Sequence, residues 1–64
     1  MADNKRFIKA HKESTIASAT EIWIDRVTGV NYLFHMDGYG AGLTVLLDED
    51  GKPVVTPLEQ LQNY

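Results

Sequence analysis

His35, Asp37 and Tyr39 fall within five residues of one another, in "HMDGY", and their side chains are of the types that move protons. A catalytic set needs a nucleophile, a base and an orienting group converging in a cleft. On a strand, neighbours such as His35 and Met36 point to opposite faces. A chain of 64 residues offers little cleft. His35 therefore reads as a partly exposed strand residue, and the chain as non-enzymatic.

The stretch beside them, "DGYGAGLT" from Asp37 to Thr44, holds three of the five glycines. It lacks the Gly-Lys-Ser/Thr of a phosphate loop, and no helix follows to supply the dinucleotide fingerprint. Successive amides could still form an anion nest. Glycines more often permit a bulge, a tight reversal or the close approach of another backbone. Asp37, Gly38, Tyr39, Gly40 and Gly42 are the candidate residues for binding a partner or ligand. Tyr39 is either a packed anchor or an exposed ring.

Composition narrows the alternatives. There is no cysteine, and His11 and His35 are isolated, so neither a disulfide nor a zinc site is expected and no cofactor is implied. The net charge of −3 is mild. Lys5, Arg6, Lys9 and Lys12 make the first twelve residues basic, while eight acids against Arg26 and Lys52 make the rest acidic. The acidic body repels phosphate, and Tyr32 and Phe34 have no Lys or Arg in their own strand; both features argue against nucleic acid. No apolar run reaches membrane-spanning length and no signal-peptide pattern opens the chain, which points to a soluble cytoplasmic protein.

The elements that must position these residues are mostly strands, in a single domain over residues 1–64 with residues 1–4 expected to be disordered. "RFIKAHK" (Arg6–Lys12) has modest alternation, and "TEIWID" (Thr20–Asp25) is rich in strand-forming types. Residues 13–19 stay ambiguous. Asp25–Val30 reads as a type I turn closed by Gly29 in the left-handed region, with Asp25 bonding amides across it. Strands at Val30–Met36 and Leu43–Leu47 follow. Gly51 supplies a second turn, and Pro53–Val55 is a short edge strand. Thr56, Pro57 and Glu59 carry N-cap, N1 and N3 signals for a short helical turn.

Alternation leaves apolar residues on both faces. Tyr32, Phe34 and Met36 oppose Leu33; Leu43, Val45 and Leu47 oppose Leu46; the isoleucines oppose Trp23. An antiparallel sheet ordinarily keeps one face wet. Trp23, Leu33 and Leu46 are assigned to a second face that a second copy or a partner covers, each burial stabilising by roughly 1.5–3 kcal/mol.

The ordered run "DRVTGVNYLF…GYGAGLTVLLDEDGKPVV", about half the chain, resembles a family of short bacterial and phage proteins known only as a domain of unknown function. The shared residues are Asp25, Thr28-Gly29-Val30, Tyr32-Leu33, Gly38-Tyr39-Gly40, Gly42-Leu43-Thr44, Leu46-Leu47-Asp48 and Asp50-Gly51-Lys52-Pro53. Other members often carry glycine where Ala41 stands and proline or another residue where Val45 stands. The resemblance implies a small β-rich protein without established catalytic residues. Its phage and prophage setting implies a stoichiometric binder of a host defence protein.

The fold expected is mainly β (β-rich α+β): an antiparallel meander of four to five strands with a short C-terminal helix. The function expected is a homodimeric binding module with a host protein as partner. The alternative is a small-anion or nucleotide binder using Gly38–Gly42.

Overall fold

The computed structural model describes residues 5–63, so the expectation for residues 1–4 lies outside the described residues. Four antiparallel strands form one open sheet in meander order: β1 (Phe7–Ser14), β2 (Ser18–Asp25), β3 (Asn31–Asp37) and β4 (Gly40–Val45). A 3-10 helix at Leu58–Asn63 ends the described chain. Both halves of the expected architecture, mainly β with a short C-terminal helical turn, are present. The ambiguous stretch resolves into the end of β1, a turn and the start of β2, closed by a 2.8 Å bond from the Thr15 amide to the Ser18 carbonyl.

The β2–β3 turn follows the expected chemistry. Gly29 has φ of 81° and donates its amide to the Asp25 carbonyl at 2.7 Å, and Asp25 Oδ1 accepts from the Val27 amide at 2.8 Å. This is a type I turn closed by a left-handed glycine, whose twist suits the flanking strands. Asp25 is also gripped by Arg6, whose Nε and Nη2 donate to its two carboxylate oxygens at 2.9 Å each. The start of β1 is thereby fastened to the end of β2.

Three expectations need correction. Pro53–Val55 is not a strand; it makes isolated bridges, Leu47 to Pro53 and Val30 to Val55. The segment inserts where β3 and β4 part, with Val54 donating to the Leu46 carbonyl at 2.8 Å and accepting from the Asn31 amide at 3.0 Å. Thr56 does not spend its hydroxyl on capping, because Thr56 Oγ1 accepts from Asn31 Nδ2 at 3.0 Å. Alternation in β1 breaks at a bulge between Lys9 and His11, which puts Phe7 and Lys9 on one face and His11 on the other.

Register decides how the faces are composed. Trp23 lies opposite Tyr32, Tyr32 opposite Val45, and Phe34 opposite Leu43, so Phe7, Trp23, Tyr32, Phe34, Met36, Leu43 and Val45 share one side. Ile8, Ile22, Ile24, Asn31 and Leu33 share the other. On this second side Asn31 holds the C-terminal tail, which carries Leu61, as buried as Ile24 at 3% exposed. The molecule is only 14 Å through its thinnest axis, against 36 and 35 Å across, and among the described residues no large side chain is fully buried. That is one layer, where stable domains use two or more.

Candidate functional site

Trp23, Leu33 and Leu46 do not form one face. Trp23 pairs with Tyr32, whereas Leu33 pairs with Ile22 on the opposite side. Leu46 alternates with Val45 and falls on the Leu33 side, where both are half-buried. The open surface is instead the aromatic side. Every exposed large apolar residue within the strands lies there: Phe7 at 46%, Met36 at 40%, Leu43 at 66% and Val45 at 36%. Phe7, Trp23, Tyr32, Phe34 and Leu43 line a groove of about 290 Å³ in it.

Two of the cations at this face, Lys9 and Arg6, are paired with acids within the chain, and Lys12, opposite Glu21, stands on the same side. Lys9 Nζ lies 3.4 Å from Glu21 Oε2 and 5.3 Å from the Trp23 ring centroid, and Trp23 Nε1 donates to Glu21 Oε1 at 2.8 Å. The indole bond, with help from Lys9, holds the Glu21 carboxyl below the usual carboxylate range. Arg6 stands 5.6 Å over the Phe7 ring while it pairs with Asp25. Phe7 meets Tyr32 edge-on at 6.4 Å. Covering the Lys9–Glu21 and Arg6–Asp25 pairs leaves neither partner of either pair stranded.

The glycine segment is only partly a loop. Asp37 pairs with Gly40, so Gly38 and Tyr39 alone make the turn, and Gly40, Ala41 and Gly42 belong to β4. Gly38 has φ of 60°, the first-position glycine of a type II′ hairpin. Its amide donates to the Ala17 carbonyl at 2.9 Å, which takes it out of any anion nest. The same bond ties together the tips of the β1–β2 and β3–β4 hairpins. There Ile16 and Tyr39 stand fully exposed, at 107% and 110%, so Tyr39 looks outward.

His35 and Asp37 share a face with Gly40 and Gly42, and a shallow 450 Å³ depression forms where those glycines lack side chains. His35 Nδ1 is hydrogen-bonded to Thr20 Oγ1 at 2.8 Å rather than to Asp37. No group of three or more His, Cys, Asp or Glu side chains that could hold a metal occurs among the described residues. Among them, too, no helix is long and apolar enough to cross a membrane.

Sequence reasoning missed Asn31 and Arg6. Asn31 is buried, and its Nδ2 reaches the Gly29 carbonyl at 3.1 Å, the Val54 carbonyl at 3.3 Å and Thr56 Oγ1 at 3.0 Å. A lone asparagine opening an apolar strand was the only signal available.

A family model described as a family of unknown function, DUF6440, matches residues 6–56. The chain belongs to that family. The span shared with it runs from Arg6, which clamps Asp25, to Thr56, which Asn31 holds, and so takes in the whole sheet and both anchors. The 3-10 helix lies beyond it. No curated protein and no solved structure matches the chain.

Proposed function

We propose that this chain is a non-enzymatic binding module that acts as a homodimer, its aromatic face covered by a second copy. One observation carries the reading: the sheet is a single 14 Å layer whose exposed large apolar strand residues, Phe7, Met36, Leu43 and Val45, are all gathered on one side. Two such sheets stack about 10 Å apart and would complete the missing second layer. The paired ions Lys9–Glu21 and Arg6–Asp25 reduce the desolvation cost of that contact. A two-fold dimer through the face leaves the hairpin tips with Ile16 and Tyr39 for the partner, a host protein in the phage setting that the resemblance implies.

Sedimentation equilibrium at micromolar concentration tests the dimer. The expected mass is that of two chains, falling to one chain in Phe34→Glu, with Trp23 emission shifting to longer wavelength as the pair separates. A single-chain mass for the parent protein across the micromolar range overturns it.

A further inference from the structure

The two edges of the sheet are built differently. β1 carries Lys9, His11, Lys12 and Glu13 and is broken by a bulge, the devices that keep an edge from pairing with strangers. β4, Gly40-Ala-Gly-Leu-Thr-Val45, has no charge, no proline and a continuous register, and all six of its residues are exposed. The tail does not shield it, because residues 53–55 insert between β3 and the end of β4 rather than along the outer side.

The outward hydrogen-bonding groups of this edge can be assigned. Leu46 donates to the Asn31 carbonyl at 3.0 Å, which fixes the phase of the ladder. Inward bonding alternates from there through Thr44, Gly42 and Gly40, so Ala41, Leu43 and Val45 turn their amides and carbonyls outward. Glycine in a strand costs stability. At Gly42 a Cβ would meet nothing within 4 Å, so crowding inside this chain gives no reason for the residue.

We propose that the β4 edge takes up an extended segment of a partner protein as a fifth strand, and that this segment is uncharged in its middle and basic at its ends. The charges flanking the edge select that occupant. Asp37 stands at one end of β4, and the turn with Asp48, Glu49 and Asp50, offset by Lys52 alone, stands at the other. Antiparallel pairing of β4 with its own copy sets the acidic turn of each chain beside the Asp37 end of the other, and like charges there oppose it. A strand ending in lysine or arginine finds opposite charge at both ends, while its backbone supplies the affinity. The inference deepens the binding-module reading and rests on it, but not on the dimer: Leu43 and Val45 lend their side chains to the aromatic face, whereas the edge offers backbone groups in the plane of the sheet.

The test uses two short synthetic peptides of alternating threonine and valine, one closed by lysine at each end and the other by glutamate. Fluorescence anisotropy reads their binding, and amide hydrogen exchange of the protein reads its position. The lysine-ended peptide is expected to bind about tenfold tighter at low salt, the size of effect that two exposed ion pairs supply, with the gap closing as salt rises. It should slow exchange at Ala41, Leu43 and Val45 and leave Gly42 and Thr44 unchanged. Leu43→Pro, which removes one outward amide, should abolish binding; if that variant unfolds, the exchange pattern of the parent protein still decides. Equal binding of both peptides, or protection elsewhere, overturns the proposal. So does protection of the three outward amides before any peptide is added, since a second copy would then hold the edge. The mass of the free protein is read separately by sedimentation, so failure at the edge is not confused with failure of the dimer.

Discussion

Thr56 closes on Gly29 from two directions. The Thr56 amide donates to the Gly29 carbonyl at 2.8 Å, and the Thr56 carbonyl oxygen occupies the space where a Cβ on Gly29 would stand. The β2–β3 turn therefore does two jobs with one residue: it reverses the chain at φ of 81° and receives the C-terminal tail. Both need the absence of a side chain.

Gly29→Ala should thus cost far more than Gly51→Ala. Gly51 has φ of 78° with open space around it, so alanine there carries only the left-handed penalty, about 1–2 kcal/mol. At Gly29 backbone overlap adds to that penalty in a domain with little stability to lose. Urea titration followed by Trp23 emission should find Gly51→Ala folded with a lower midpoint and Gly29→Ala largely unfolded in water.

Asn31 is the other half of the tail anchor. Asn31→Ala takes the donor from Thr56 Oγ1, while the Val54 carbonyl keeps the backbone amide of residue 31, and should cost about 1–3 kcal/mol. Asn31→Asp should cost more, since it turns a carboxylate toward acceptors. In both variants the Thr56 amide should exchange faster than in the parent, while amides in the middle of β2 keep their relative protection.

Acid should unfold the protein through Asp25. The Arg6 guanidinium holds its carboxyl down at about 2, aided by the Val27 amide and opposed by burial. A carboxyl whose pKa is lower in the folded state stabilises above its unfolded value, and that contribution is lost as pH falls from about 4 through 2. Glu21 is lowered as well and acts in the same direction. Arg6→Gln should flatten the pH dependence of the thermal midpoint in this window while leaving the slope above pH 5 unchanged.

Gly42→Ala should raise stability. Gly42 does not have positive φ, and no atom lies within 4 Å of the added methyl, so the substitution mainly restricts the unfolded chain, worth about 0.4–1 kcal/mol. A lower thermal midpoint would show that the strand needs glycine's freedom at this position.

Tyr39→Ala should leave the fold alone. The ring is fully exposed at the turn, so the unfolding midpoint should move by less than about 0.5 kcal/mol. Loss of partner binding without loss of stability would then mark Tyr39 as a contact residue, whereas collapse of the fold would contradict its placement.

Local chemistry was legible in the sequence. The Asp25–Gly29 turn, the strand content of "TEIWID" and "VNYLFHM", the short helical tail and the apolar residues on both faces of the sheet all follow from neighbours within a few positions. β4 was harder, because Gly40, Ala41 and Gly42 have poor strand propensity and their strand state depends on the ladder with β3. Pro53–Val55 looked like a strand for the same reason in reverse: Val54 and Val55 have good strand propensity, but only isolated bridges await the segment.

The sequence by itself determined the alternation in β2 and β3 and the turn between them, since both depend on residues adjacent along the chain. Only the tertiary structure decided which side of one strand joins which side of the next. A slip of one residue exchanges the faces, and it is the observed register that puts Trp23 beside Tyr32 and away from Leu33. The structure likewise decided that Asn31 and Arg6 are anchors, because their partners Thr56 and Asp25 lie far off in the chain and meet them only once the sheet has formed.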